Sequence, residues 1–427
     1  LKNDYKLSLN ILDEVLNSNK KSNDQINKYA NYADNLSFLT KIIYGVLENK
    51  IYLDYMIRKL SSVRLKKIHK KTLIILEIGF YDIHFLNTKD YAIVNELVNL
   101  TKEINPRSAG FVNAILRNFI RDEKEIAKIK ESDDLKSLSI KYSMPEEITN
   151  YIFENYGIEY TKNFLRYVNS EQLISIRVNN LKTNVSDLKK LLEAKSFIVK
   201  ESNISKNALI ILNPSGLANS KEFKEGLFTI QQEASMKAIE VLDPKENSNI
   251  LDICAAPGTK TSYIGEYVNN NSKVLANDLL ADKLSLIKEN IDRLSLKNIE
   301  LTSFDASIYQ EKLKEKFDYI LVDAPCSGLG VIGRKPEIRY NRTIEDIKNL
   351  SLLQRQILEN SLQYLKKGGY MIYSTCTIGK IENIENFNYL KNKEDLEVVP
   401  IDGKKYLEFT NFIDHTDGFF ISKFKKI

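Results

Sequence analysis

The chain has 427 residues, 43% of them hydrophobic, enough to bury ordinary cores in two or three domains. Its net charge of +5 permits nucleic-acid binding without requiring it, and its apolar runs fall far short of the roughly 20 residues a membrane helix needs. Three cysteines without a CxxC pair and three histidines in unrelated contexts argue against a disulfide scaffold, a structural zinc site or a Ser-His-Asp arrangement. No metal is expected, and with no secretory leader pattern at the start the expected location is the cytoplasm.

Residues 1–128 carry helical periodicity. Tyr5, Leu9, Leu12 and Leu16 recur at spacings of three and four, as do Leu39, Ile43 and Val46, and then Val112, Ile115, Leu116 and Phe119. The pattern predicts an all-α bundle with basic clusters on polar faces, Arg64-Leu65-Lys66-Lys67 and Lys70-Lys71, which are either solvated or turned toward RNA. The charged stretch 121–134 reads as the last helix or a linker, and Met144-Pro145-Glu146-Glu147 opens another helix, with acids in the first turn to match the helix dipole. Residues 129–171 are therefore expected to form a helical linker.

From 172 the pattern changes. Strand-like runs at 173–178, 208–212 and 227–230 flank a short helix at 184–194, which predicts a small α+β module over 172–244. A helix entered at Gln231-Gln232-Glu233-Ala234-Ser235 ends at Asp243-Pro244. The remainder, 245–427, alternates strand candidates (250–253, 273–276, 299–303, 319–322, 370–373, 396–399 and 419–422) with helices between the first five, which implies a parallel sheet with helices on both faces.

The residues suited to chemistry stand where the strands of this last domain end, the place where ligands collect in such sheets. Cys254 follows the first strand and leads through Ala255, Ala256, Pro257 and Gly258 to Thr259 and Lys260; the glycine allows close backbone approach at a helix start. Asp278 ends the second strand, where an acid suits the hydroxyls of a ribose, and Asp305 follows the third, beside the place of an adenine. Neither a GxGxxG fingerprint nor a P-loop is present, so phosphates are not implied. An adenosine held among carboxylates points to S-adenosylmethionine, whose sulfonium and amine are cationic.

Two further thiols, Cys326 in Asp323-Ala324-Pro325-Cys326-Ser327-Gly328 and Cys376 in Ser374-Thr375-Cys376-Thr377, end the fourth and fifth strands. A thiolate adding to carbon 6 of cytosine makes carbon 5 nucleophilic enough to take a methyl group, and a base must then remove the carbon 5 proton before the thiol can leave. Asp323 is available to hydrogen-bond the pyrimidine edge. Either cysteine can attack on these grounds; a Pro-Cys nucleophile is the arrangement of DNA cytosine methyltransferases, and an inactive RNA-binding scaffold is a further alternative.

The three motifs resemble those of RNA 5-cytosine methyltransferases, as do Ile176-Arg177-Val178-Asn179, Gln231 to Ser235 and Asp417-Gly418-Phe419-Phe420. A helical domain similar to the antitermination factor NusB, ending in Gly110-Phe111-Val112-Asn113-Ala114-Ile115-Leu116-Arg117, narrows the resemblance to the RsmB type. That resemblance implies a multidomain chain: a NusB-like helical RNA-binding domain, the small α+β module as an RNA-binding element, and a Rossmann-like methyltransferase domain. It implies S-adenosylmethionine bound by residues 254–260 with Asp278, Asp305 and Asp323, Cys376 as nucleophile, Cys326 as release partner and Lys260 near the reacting centre. It further implies RNA contacts from Arg177, Arg334, Lys335 and Arg339, a monomer, and small-subunit ribosomal RNA, unassembled or partly assembled, as substrate. Two positions depart from the family pattern: Thr259 replaces a glycine, and Asp34-Asn35 stands where Asp-Arg is common.

Overall fold

The computed structural model describes residues 2–86, 90–129 and 134–427. Part of the expected linker, 130–133, lies outside them. The chain divides into two compact units, one of residues 1–170 with 332–344, the other of 171–331 with 345–427.

The first unit is helical. Helices Lys2–Ser18, Leu36–Leu60, Lys70–Tyr81, Asp90–Ile104 and Ala109–Ala127 pack their periodic apolar residues, among them Tyr5, Leu9, Leu12, Ile43, Val46, Val112, Leu116 and Phe119, into one core. Local signals fix the helix starts: Asn35 accepts from the Phe38 amide and Asp134 from the Ser137 amide, each satisfying an amide the helix leaves unpaired. The clusters at 64–71 lie mainly on the surface. Helix Glu146–Val168 bends at Gly157, whose φ of +80° suits a residue without a Cβ.

Segment 332–344 belongs to this unit through buried polar contacts. The Arg339 guanidinium donates to the carbonyls of Glu48, Tyr142, Ser143 and Val168 and to Asn169 Oδ1, at 2.9 to 3.4 Å. Two of these carbonyls follow helix Leu135–Lys141 and one closes helix Glu146–Val168, so the cation meets the negative ends of two helix dipoles. Glu337 accepts from the amide and hydroxyl of Ser22, and the Tyr340 hydroxyl donates to the Leu47 carbonyl at 2.6 Å. Arg339 is thus buried, contrary to its expected place on an RNA-facing surface.

The second unit begins with strands β1 (Ile174–Val178), β2 (Val199–Glu201), β3 (Ala208–Ile211) and β4 (Phe228–Ile230), an antiparallel sheet in the order β2-β3-β1-β4. Helix Val185–Glu193, capped by Asn184, covers it through Leu188 and Leu192. The larger sheet holds β5 (Asn249–Asp252), β6 (Lys273–Asn277), β7 (Ile299–Thr302), β8 (Phe317–Asp323), β9 (Leu365–Thr375), β10 (Leu396–Val398), β11 (Leu407–Phe409) and β12 (Phe419–Lys426). Its order is β10-β12-β9-β8-β5-β6-β7, with β11 on β12.

Strands β5 to β9 pair in parallel. Successive residues feed opposite faces: Leu251, Ile320, Val322, Met371 and Tyr373 pack on one side, Ile250, Leu321 and Ile372 on the other. Burial on both faces explains why these strands read as continuous apolar runs. Three features differ from the sequence expectation. Strand β12 runs back between β9 and β10, antiparallel to both, so the sheet is mixed. Only a 3₁₀ turn, Glu311–Leu313, occupies the helical place between β7 and β8. The three-residue strands β2 and β11 carry too little alternation to be seen in advance.

Candidate active site

The chain leaves β5 in one direction, toward β6 and β7, while β8 and β9 lie on its other side; the crevice beyond the carboxyl ends at such a switch point is the expected binding place. A second cavity of about 820 Å³ is lined by residues where strands begin, Asn249, Lys273, Asn298 and Phe317, and reaches along β7 to Thr302 and Phe304.

The loop after β5 is tightly held. The Ala255 amide donates to the Asn277 carbonyl, the Ala256 amide donates to Asp278 Oδ2 at 3.0 Å, and Gly258 takes φ +94° ahead of helix Thr259–Tyr267. A Cβ on Gly258 would meet Ile287 at 3.0 to 3.2 Å, so the turn also requires the missing side chain for space. Thr259 starts the helix, a position that needs no glycine. Asn277, overlooked in the sequence, joins three strand ends: its amide donates to the Ile253 and Phe304 carbonyls and its oxygen accepts from the Phe304 amide. Asp305 turns one oxygen to the amide and hydroxyl of Ser307.

Carboxylates converge on this loop. Burial, then the charges of Asp252, Asp323, Asp278 and Asp305, push the Cys254 thiol well above its usual range. Asp252, buried and accepting a hydrogen bond from Thr261 at 2.6 Å, is itself pushed up to about 7, chiefly by burial. Such an acidic cradle fits a ligand that brings positive charge, as S-adenosylmethionine does with its sulfonium and amine.

At the next two strand ends the reactive groups meet. Asp323 closes β8 and pairs across the sheet with Ser374 of β9; its Oδ2 accepts from Lys260 Nζ at 2.6 Å and its Oδ1 from Ser374 Oγ at 2.8 Å. Burial disfavours the Lys260 ammonium, but the charge and hydrogen bond of Asp323, together with the charges of Cys376 and Asp252, outweigh it and the pKa rises. The same ammonium lies 5.4 Å from the centre of the Phe419 ring. Cys326 and Cys376 are half-buried, with sulfur atoms 3.3 Å apart. Behind them Gly330 and Gly418 touch backbone to backbone: a Cβ on Gly330 would lie 1.9 Å from the Gly418 carbonyl oxygen.

Of the arginines and lysine expected to contact RNA, Lys335 is exposed and Arg334 partly so. Arg177 is fully buried. It forms a fork on Glu266 (2.8 and 3.0 Å) and donates to the Thr259 carbonyl at 2.6 Å, to Ser262 Oγ at 2.9 Å and to Gln231. Its five N–H groups are occupied within the protein, so it braces the start of the helix after Gly258 instead of facing RNA.

The sheet order, the glycine turn and the acidic cradle place this domain in the class of Rossmann-like, S-adenosylmethionine-dependent methyltransferases, and the comparisons with known proteins make the class specific. Residues 239–425 match the family model for 16S rRNA methyltransferase RsmB/F, 3–121 the NusB family, and 144–218 the ferredoxin-like domain described for Methyltr_RsmF/B-like proteins. A probable ribosomal RNA small subunit methyltransferase B of Bacillus subtilis is 33% identical, over 97% of this chain and 94% of that one. The mouse 28S rRNA (cytosine-C(5))-methyltransferase is 32% identical over 68% of this chain and 40% of its own. The crystal structure of PH0851 superposes with a TM-score of 0.85 at 26% identity, covering 100% of this chain and 99% of that one. The chain belongs to the RsmB/F family of rRNA methyltransferases. Among the described residues no helix is long and apolar enough to cross a membrane.

Proposed function

We propose that the protein methylates carbon 5 of a cytosine in small-subunit ribosomal RNA, with Cys376 as nucleophile and Cys326 as the group that resolves the adduct. The observation that carries this reading is the pair of sulfur atoms 3.3 Å apart, at the ends of adjacent strands, beside the Lys260–Asp323 ion pair. The names of the Bacillus and mouse relatives supply the small-subunit and cytosine-5 elements.

When bound, S-adenosylmethionine would supply an electrophilic methyl group, its sulfur–methyl bond breaking to leave the neutral thioether S-adenosylhomocysteine. Cys376 thiolate adds to carbon 6, and the electron pair of the 5,6 double bond moves to carbon 5, which takes the methyl group. Once Cys326 has given its own proton to solvent, its thiolate removes the carbon 5 proton; the electrons restore the double bond and expel the Cys376 thiolate. Lys260 interacts electrostatically with Cys376, and a cation beside a sulfur favours its thiolate. For Cys326, the hydrogen bond with Cys376, burial, and the charges of Cys376, Glu382 and Asp323 act in the opposite direction and keep the proton on sulfur. Asp323, held by Lys260 and Ser374, retains side-chain exposure of 25%, compatible with contact to the base edge.

The test is trapping with ribosomal RNA. Cys376→Ala is expected to abolish methylation, and Cys326→Ala to accumulate an RNA–protein adduct that survives denaturing gels. An adduct from Cys376→Ala and none from Cys326→Ala would reverse the assignment. Bisulfite sequencing of RNA from cells lacking the gene locates the target, and an unchanged 5-methylcytosine pattern counts against the function.

A further inference from the structure

Neither thiol lies on a regular element, yet the residues flanking both are pinned by one buried dipeptide, Glu382-Asn383, with help from Gln354. On the Cys326 side, the Ser327 amide donates to Glu382 Oε1 at 2.8 Å, Ser327 Oγ donates to Oε2 at 2.5 Å, and Gln354 Nε2 donates to the Pro325 carbonyl at 2.9 Å. On the Cys376 side, Thr375 Oγ1 donates to Asn383 Oδ1 at 2.6 Å and Asn383 Nδ2 donates to the Thr377 carbonyl at 3.2 Å. The two halves join: Ser327 Oγ and Thr377 Oγ1 are 2.6 Å apart, and Gln354 Nε2 also donates to Glu382 Oε1 at 3.0 Å. Gln354 is fixed in turn by the hydroxyl of Tyr373 and the amide of Asn386, both donating to its Oε1. Glu382, Asn383, Gln354 and Thr375 are fully buried.

A carboxylate costs several kcal/mol to bury and is retained only where hydrogen bonds to it compensate. A clamp for two short loops could be built from neutral groups. Here a carboxyl group sits where Ser327, beside Cys326, meets Thr377, beside Cys376, and it adds a buried side-chain link to the backbone bond from the Gly330 amide to the Cys376 carbonyl at 3.2 Å. We propose that Glu382, with Asn383, is a positioning residue for methyl transfer: it holds the Cys326 and Cys376 loops so that both sulfurs reach one pyrimidine ring. This rests on the two-thiol reading above and extends it to the group that sets the spacing.

The closing experiment compares Glu382→Ala and Glu382→Gln in full-length protein, with S-adenosylmethionine and ribosomal RNA. The amide can keep the geometry: its oxygen accepts from the Ser327 amide and Gln354, while its NH₂ donates to Ser327 Oγ, which then donates to Thr377 Oγ1. A displacement of about 1 Å costs on the order of 100-fold in rate, so Glu382→Ala should lower kcat by about that factor, while the RNA KM and calorimetric S-adenosylmethionine affinity stay within about threefold. Glu382→Gln should recover to within about tenfold of the parent protein. In a Cys326→Ala background, Glu382→Ala should slow adduct formation by the same factor as kcat. If Glu382→Ala does not accumulate, Ser327→Ala combined with Thr377→Val cuts the same link without removing a buried charge and should lower kcat by about tenfold. Turnover within threefold of the parent in Glu382→Ala, or in that double variant, overturns the proposal, and so does a Gln variant as impaired as Ala. If the parent protein forms no 5-methylcytosine, the underlying function fails instead; an active parent with an active Glu382→Ala removes only the positioning role.

Discussion

Arg177→Met separates two roles for one arginine, because a residue facing RNA and a residue bracing a fold fail differently. Arg177 and Glu266 form a fork with side-chain exposures of 0% and 2%. Removing the guanidinium strands the carboxylate in a site water does not reach, a change that costs about 3–5 kcal/mol. At roughly 2–4 °C per kcal/mol for a unit of this size, the melting temperature should fall by about 10 °C. Burial raises the Glu266 pKa and Arg177 opposes that rise, so without the arginine the carboxyl holds its proton to higher pH. A group whose folded pKa is raised stabilises the fold at low pH and loses that contribution as pH climbs; the deficit of Arg177→Met should therefore be larger at pH 8.5 than at pH 5.5. Arg177→Met with Glu266→Leu removes both charges and should recover most of the loss. Calorimetric melting of the three proteins at the two pH values measures all of this. A melting temperature within about 2 °C of the parent, with weakened RNA binding, would refute the bracing role and return Arg177 to the RNA surface.

Asp252 gives a pH-dependent prediction of its own. With a folded value of about 7 against an ordinary carboxylate in the unfolded chain, its contribution is present at low pH and lost as pH rises from about 4 through about 7, an amount of roughly 4 kcal/mol. Asp252→Asn should gain stability relative to the parent between pH 5 and pH 8 in melting experiments without cofactor; parallel pH curves would remove Asp252 as the titrating group. For the cofactor cradle, Asp278→Ala takes away the acceptor for the Ala256 amide and one carboxylate. It should weaken S-adenosylmethionine about 10- to 100-fold by calorimetry and leave RNA affinity unchanged. An unaltered dissociation constant takes Asp278 out of the site.

The parallel strands were legible because burial on both faces leaves apolar runs such as Ile320, Leu321 and Val322, and helices of the first unit because their core positions repeat every three or four residues. Strand direction leaves no such trace, which is why β12 gave its position but not its antiparallel sense. The strand-end thiols and carboxylates could be found since the motifs around them are short and contiguous. Their supports could not. Glu266 stands 89 residues from Arg177, and the carbonyls that receive Arg339 belong to backbone, which sequence does not distinguish. Asn277 and Glu382 looked like ordinary polar residues at a strand end and before a helix. An exposed arginine and a buried one with five partners are the same letter, and only packing separates them.

The geometry of the thiols is nearly symmetrical, so distance alone does not say which attacks. Two thiolates 3.3 Å apart repel strongly in a half-buried site, and a pair that close titrates as one system in which a single sulfur ionises first. What breaks the symmetry is the set of fixed charges. Cys326 lies next to Glu382, whose carboxylate is tied to the neighbouring Ser327 amide, and it also feels Asp323. Cys376 interacts with the Lys260 ammonium, whose partner Asp323 is shared with Ser374 of the same strand. An added proton is therefore best kept on Cys326, which leaves Cys376 as the proposed nucleophile. That partition supports attack by Cys376, and it leaves beside the adduct a protonated sulfur that must first give up its proton to act as a base. Ionisation of Cys326 becomes less opposed once Cys376 is bonded to carbon 6 and no longer carries charge, so the step that consumes the first thiolate also removes one of the causes holding the second proton in place.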